Sequence, residues 1–414
     1  MRYFFIFFLF IFFSINLNAL TLEQALKMAL KYNPAINQTS LNISIQKKRT
    51  AQIESSQFGE IDAIAKYNKT DYPQALQPLN MRHLAKDVLS VGINYQVPLF
   101  TGFEITKSIE ISKLNEKIFK IANNLTKNQV IFNIKSVYYK ILSLKKQLIA
   151  MNSYKNSLNK LFQDVKLMVE TGKKPEVDLY KISYDVKSVD ATISSIKNNI
   201  DTLKYTLKEL IGKDNLIINN IQDITLTKNF KPEKISYNKL PSLEQLSTKS
   251  KISKKNIAKT KSAYYPKLYL NADTFENYGK GDDLNIWQIT LDLKFNIFDF
   301  GKTKNSVKEA ILEKQKIEFE KLQTKLKKEK DIRDAINRIK TEKNNIDALK
   351  QQVKFAKESE RIEKMKYEEG VSQIYDYLYA KSRRYIAESN FYDSLYKRET
   401  AIAYYDYVIE KYAK

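Results

Sequence analysis

The chain has 414 residues, 28% of them charged, with 70 basic against 47 acidic side chains, one histidine and no cysteine. The missing thiols exclude disulfides, thiolate metal sites and a lipid-bearing N-terminal cysteine. Of the basic residues 61 are lysine, and lysine spread along helices makes a solvated face, whereas nucleic-acid readers cluster arginine forks, so no nucleic-acid partner is expected.

Residues 1–19 read as a secretory signal peptide. Arg2 precedes an apolar run over residues 4–13 and small residues follow to Ala19, too short a run to span a membrane. Beyond it the chain writes one unit twice: residues 20–212 form a first structural repeat, 213–239 a linker, and 240–414 a second repeat. Residues 103–171 and 302–369 contain no glycine or proline, which predicts very long helices. The pairs Phe100 and Phe298, Gly172 and Gly370, and Asp178 and Asp376 are each 198 apart. Upstream the offset becomes 207, as from Ala51 to Ala258, so the first copy carries nine extra residues near 71–87. Shared length, boundaries and order mark a duplication.

After the helix that opens each copy, four segments alternate apolar and polar residues. In the second, Leu89, Val91, Ile93, Tyr95 and Val97 alternate with Ser90, Gly92, Asn94 and Gln96. In the fourth, Trp287, Ile289, Leu291, Leu293 and Phe295 alternate with Gln288, Thr290, Asp292 and Lys294. Their expected partners are residues 61–68 and 268–275, joined through loops holding Pro73, Pro78 and His83 in one copy and residues 278–283 in the other. About ten residues with one apolar face is what a tilted membrane strand needs. Leu89, Val91, Ile93, Trp287, Ile289, Leu291 and Leu293 are therefore expected to face lipid, with a small soluble sandwich as the competing reading. Four strands cannot close a membrane barrel, so the chain must oligomerise.

Past Gly172, residues Leu179, Ile182, Val186, Val189, Ile193, Ile196, Ile200, Leu203, Leu207 and Leu210 alternate spacings of three and four. The preceding stretch does the same from Ile134 to Met168 with Lys155 as its gap, so the two should form an antiparallel coiled-coil hairpin. The second copy keeps a seam at Ile332, Ala335 and Ile339, then turns small and aromatic at Ala380, Ala387, Phe391 and Ala401.

The opening Leu20-Thr21-Leu22-Glu23-Gln24-Ala25-Leu26, the strand-to-helix signatures Pro98-Leu99-Phe100-Thr101-Gly102 and Phe298-Asp299-Phe300-Gly301, and the segment from Tyr367 to Ala380 resemble the TolC family of outer-membrane efflux channels. The resemblance covers essentially the whole mature chain. It implies a mainly α protein with a small membrane β part: a homotrimer whose coiled-coil hairpins form an α-barrel in the periplasm and whose twelve strands form a β-barrel in outer-membrane lipid. It also implies a periplasmic adaptor and an inner-membrane pump as partners, and the role of exit duct in a tripartite efflux or type I secretion system. The lack of a lipid-bearing cysteine matches the unlipidated members, and Ser372 stands where some members carry an arginine. A secreted coiled-coil adhesin or stalk without a pore is the alternative.

No carboxylate–histidine cluster, phosphate loop or nucleophile context is found, so neither an enzyme nor a cofactor is expected. Asp178 and Asp376 sit six residues past Gly172 and Gly370, where a threefold assembly would set each in a carboxylate ring; the competing role is to complement a helix dipole. The resemblance favours the ring for Asp376 and makes Tyr367 a residue that helps hold the tip shut, against plain aromatic packing.

Overall fold

The computed structural model describes residues 19–69, 87–279 and 284–413. Residues 1–18 of the signal segment, most of the nine-residue insertion with His83, and the second loop at 280–283 lie outside the described residues. In chain order the elements are α1 (Leu22–Tyr32), α2 (Pro34–Ser55), β1 (Glu60–Lys69), β2 (Asp87–Phe100), α3 (Glu104–Glu170), α4 (Val177–Ile211), α5 (Pro241–Thr260), β3 (Lys267–Gly279), β4 (Leu284–Lys294), α6 (Lys302–Glu368) and α7 (Ile374–Val408). The two glycine-free stretches are single helices of 67 residues each, and each returning helix has 35. Among the described residues no helix is long and apolar enough to cross a membrane.

The chain packs as two compact units, and each draws on both copies of the duplication. One comprises Gln38–Leu125 and Ser236–Lys328, the other Thr126–Ile235 with the chain up to Asn37 and from Glu329 onward.

The first of these holds a four-stranded antiparallel sheet in the order β1-β2-β3-β4. Its strands outrun the expected partners: β3 continues to Gly279, while β4 stops at Lys294 and leaves Phe295 outside. Strands β2 and β4 each hand over to a long helix through a left-handed turn, at Gly102 and Phe103 in one copy and at Phe300 and Gly301 in the other. In the second copy the Asp299 carboxylate accepts from the Gly301 and Thr303 amides at 3.0 and 2.8 Å, capping α6. Its bonds to Thr303 hold that carboxyl below the usual aspartate range.

The other unit is helical, and its core is the heptad seam. Ile134, Ile141, Leu158 and Val165 of α3 and Ile182, Val189, Ile196 and Leu207 of α4 are buried. The gap at Lys155 is filled by a salt bridge to Asp190 at 2.6 Å, while the neighbouring Tyr154 is buried and stacks on Tyr385. The segment between the repeats is bound to the helices rather than loose. The single Tyr138 hydroxyl proton is shared between the Leu20 and Gln222 carbonyls, 2.8 and 2.6 Å away, joining residue 20 to residue 222, and the Thr227 amide and hydroxyl both bond the Glu399 carboxylate. Tyr396 donates to Asp223 at 2.8 Å, so α7 holds the same segment at a second point.

Candidate functional site: the apolar sheet face and the hairpin tip

Strand register decides which side chains share a face. Ile61 pairs with Tyr95, which pairs with Ala272, which pairs with Ile289. Along β2 and β4 the same face carries Leu89, Val91, Ile93, Trp287, Leu291 and Leu293, because side chains alternate with period two. All seven residues expected to face lipid lie on this one face, and all are exposed in the single chain, Trp287 at 74% and Leu291 at 61%. An apolar surface of this kind, broken at one end by Thr274, Glu276 and Asn285, is costly in water. The opposite face bears Asp62, Asn94, Asp273 and Asn271, with Asn94 bonded to Asp273 and Asn271 to Asp292. The sheet ends in the backbone edges of β1 and β4.

In the helical unit, both hairpins turn on a glycine in the left-handed region, Gly172 at φ 71° and Gly370 at φ 76°. The closing bonds match: the Lys173 amide donates to the Met168 carbonyl and the Val371 amide to that of Lys366, both at 2.8 Å. This paired glycine cap releases the chain into a short loop and then into the returning helix.

Past the turns the two aspartates part company. Asp178 is buried at 5% exposure and accepts from the Tyr367 hydroxyl at 3.4 Å, with Lys181 3.9 Å away. Tyr367 is itself buried and stacks on Tyr377, while Lys174 lies 4.1 Å over its ring and donates to its carbonyl. Burial, reinforced by Asp178, raises the Tyr367 hydroxyl well above its ordinary value, so it remains a proton donor. Asp376 is exposed on the first turn of α7, its amide bonded to the Gln373 carbonyl at 3.1 Å. The Ser372 hydroxyl is buried and finds no hydrogen-bond partner among the described residues, so it supplies no substitute for an arginine there.

Sequence reasoning missed a charged knot behind the tip. Glu360 of α6 accepts from Lys381 at 3.3 Å and from Arg384 at 2.8 Å, and Lys381 donates to the Tyr377 hydroxyl at 2.9 Å. Glu360 and Lys381 are almost wholly buried, at 7% and 3% exposure. Burial pushes the Lys381 ammonium below its ordinary value, with Glu360 acting against the shift. The spacing of Tyr377, Lys381 and Arg384 along one helical face was the available signal.

Long coiled-coil hairpins and a sheet with one apolar and one polar face are the parts from which an outer-membrane channel can be assembled. Residues 238–403 match the family model described as outer membrane efflux protein. The chain is 21% identical over 394 residues to the outer membrane protein TolC of Vibrio cholerae, covering 88% of this chain and 86% of that protein. Its fold is that of the Campylobacter jejuni CmeC outer membrane channel, at TM-score 0.81 and 18% identity over 94% of this chain and 85% of the other. A Pseudomonas aeruginosa membrane protein matches at TM-score 0.82 and 17% identity, over 94% and 90% of the two chains. The second repeat thus matches the outer membrane efflux protein model, and over most of its length the chain is similar to TolC-type channels.

Proposed function

We propose that this protein is the outer-membrane exit duct of a tripartite efflux or type I secretion assembly, a passive conduit closed at its hairpin tip. The observation that carries the reading is the open sheet: four antiparallel strands, one face apolar, both edges unpaired. In hydrocarbon every backbone donor and acceptor must be paired, so β1 of one copy has to meet β4 of the next. Three copies give a barrel of twelve strands, wide enough for a lumen, where eight would be filled by side chains. A second feature favours self-assembly: on the part of α6 that belongs to the same compact unit as the sheet, Leu312, Phe319, Leu322 and Leu326 stand exposed at heptad spacing, an unfilled coiled-coil seam. The polar face then lines the pore, and the helices reach into the periplasm to meet an adaptor protein and, through it, an inner-membrane pump. A stalk without a pore gives no account of the apolar band. Cross-linking in isolated outer membranes should yield a detergent-stable trimer; recovery of monomer alone overturns the assembly.

In this reading the tip is the gate, and its two aspartates divide the work. Asp178 holds Tyr367 between the hairpins, and exposed Asp376 supplies the ring of three carboxylates at the constriction. Local rings outweigh net charge in a narrow pore, so the channel prefers cations although the chain is strongly basic. Asp376→Ala should reduce cation selectivity and weaken block by multivalent cations in planar-bilayer recordings, with the trimer unchanged. Unaltered selectivity together with a lower melting temperature would assign the carboxylate to the helix terminus instead.

A further inference from the structure

The polar face of the sheet is interrupted by one rung made only of hydrocarbon. Its members are Ile64, Gly92, Phe275 and Ile286, aligned across all four strands. The rung on the helix side carries Asp62, Asn94, Asp273 and Gln288. The rung on the other side runs Lys66, Ser90, Asn277 and Leu284, with Ser90 and Asn277 hydrogen-bonded at 2.5 Å. Gly92 is part of the construction. A Cβ there would stand 2.4 Å from the Phe275 ring and 2.1 Å from the Thr274 carbonyl oxygen, so only glycine lets the ring lie across β2. Covering a strand glycine with a cross-strand aromatic stabilises a sheet by itself. That need does not extend to Ile64 and Ile286, which occupy the outer strands of the same rung and stand 37% and 45% exposed on the face that carries Asp62, Asn94, Asp273 and Gln288.

We propose that this rung is an apolar step in the wall of the lumen, near its outer end, that slows hydrated ions and favours permeants with an apolar body. The inference rests on the barrel reading given above, which turns this face inward. Because barrel strands are tilted, the rung repeated in three copies winds as a staggered apolar band rather than a flat ring. Such a band withholds the hydrogen bonds that a hydrated charge exchanges with a polar wall, while an apolar molecule loses nothing by touching it. Ile64, Phe275 and Ile286 are on this account specificity-determining residues at the outward end of the duct, separate from the gate at the tip.

The native chain has no cysteine, so single introduced thiols report access cleanly. Ser90→Cys lies outside the rung and Thr290→Cys inside it on the same face. In intact cells a charged methanethiosulfonate reagent added externally should label Ser90→Cys faster than Thr290→Cys, on the order of tenfold for a barrier of roughly 1.4 kcal/mol. An uncharged apolar reagent of similar size should show no such gap. Replacing the step by Phe275→Ser with Ile286→Ser should remove most of the difference for the charged reagent; if that pair fails to assemble, Ile64→Ser decides alone. Equal rates at both positions in the native background, or a gap indifferent to these substitutions in an intact trimer, overturns the proposal. Loss of the trimer from the native chain would instead strike the barrel reading on which it rests.

Discussion

Ile289→Arg should leave most of the protein outside the outer membrane, in periplasmic aggregates or degraded. Ile289 lies midway along β4 in register with Ala272, Tyr95 and Ile61, on the face exposed by the single chain. In the proposed barrel a guanidinium at that depth faces hydrocarbon, costing about 2–4 kcal/mol per copy at the bilayer midplane. The adjacent Thr290, opposite Asn271 on the polar face, provides the control. Thr290→Arg should insert normally, because its charge enters a water-filled lumen. Membrane fractionation and semi-native gels distinguish the two; equal loss from both would mean that the register of β4 is shifted by one residue.

Glu360→Gln should loosen the tip far more than any surface substitution. The carboxylate neutralises Lys381, which is buried, and Arg384, which is 30% exposed at its side chain. Removing one partner of a buried pair leaves a charge without compensation, typically costing about 3–5 kcal/mol. The outcome should fall at the lower end of that range, since Arg384 can turn toward water. Hydrogen exchange along the ends of α6 and α7 and susceptibility to protease near Gly370 should both rise. Adding Lys381→Met should recover much of the loss, because the pair is then replaced by an apolar contact of similar size. If the double variant is no better than the single one, Glu360 acts through Arg384 alone.

Much of the architecture was written locally. A long helix needs only the absence of breakers and a seam of apolar residues every 3.5 positions, and both are visible in one dimension. The same holds for the glycine turns at Gly172 and Gly370 and for period two in β2 and β4, which alone separates an apolar from a polar face. Strand β3 was underestimated in length because its alternation reverses at Phe275, which stands on the polar face, and Glu276, which stands opposite Val91 on the apolar one.

What the sequence by itself determined is the set of elements, their order, their duplication and the two-sided character of the sheet, since each follows from the periodicity of side chains along one segment. Only the tertiary structure decided that Asp178 is buried against Tyr367 while its repeat counterpart Asp376 is exposed. It also decided that Glu360, Lys381 and Arg384 meet, and that Ile64, Phe275 and Ile286 fall on one rung with Gly92 between them. The reason is the same in each case: burial, ion pairing and cross-strand register are properties of two segments at once, and duplicated sequences acquire different neighbours when the two copies pack.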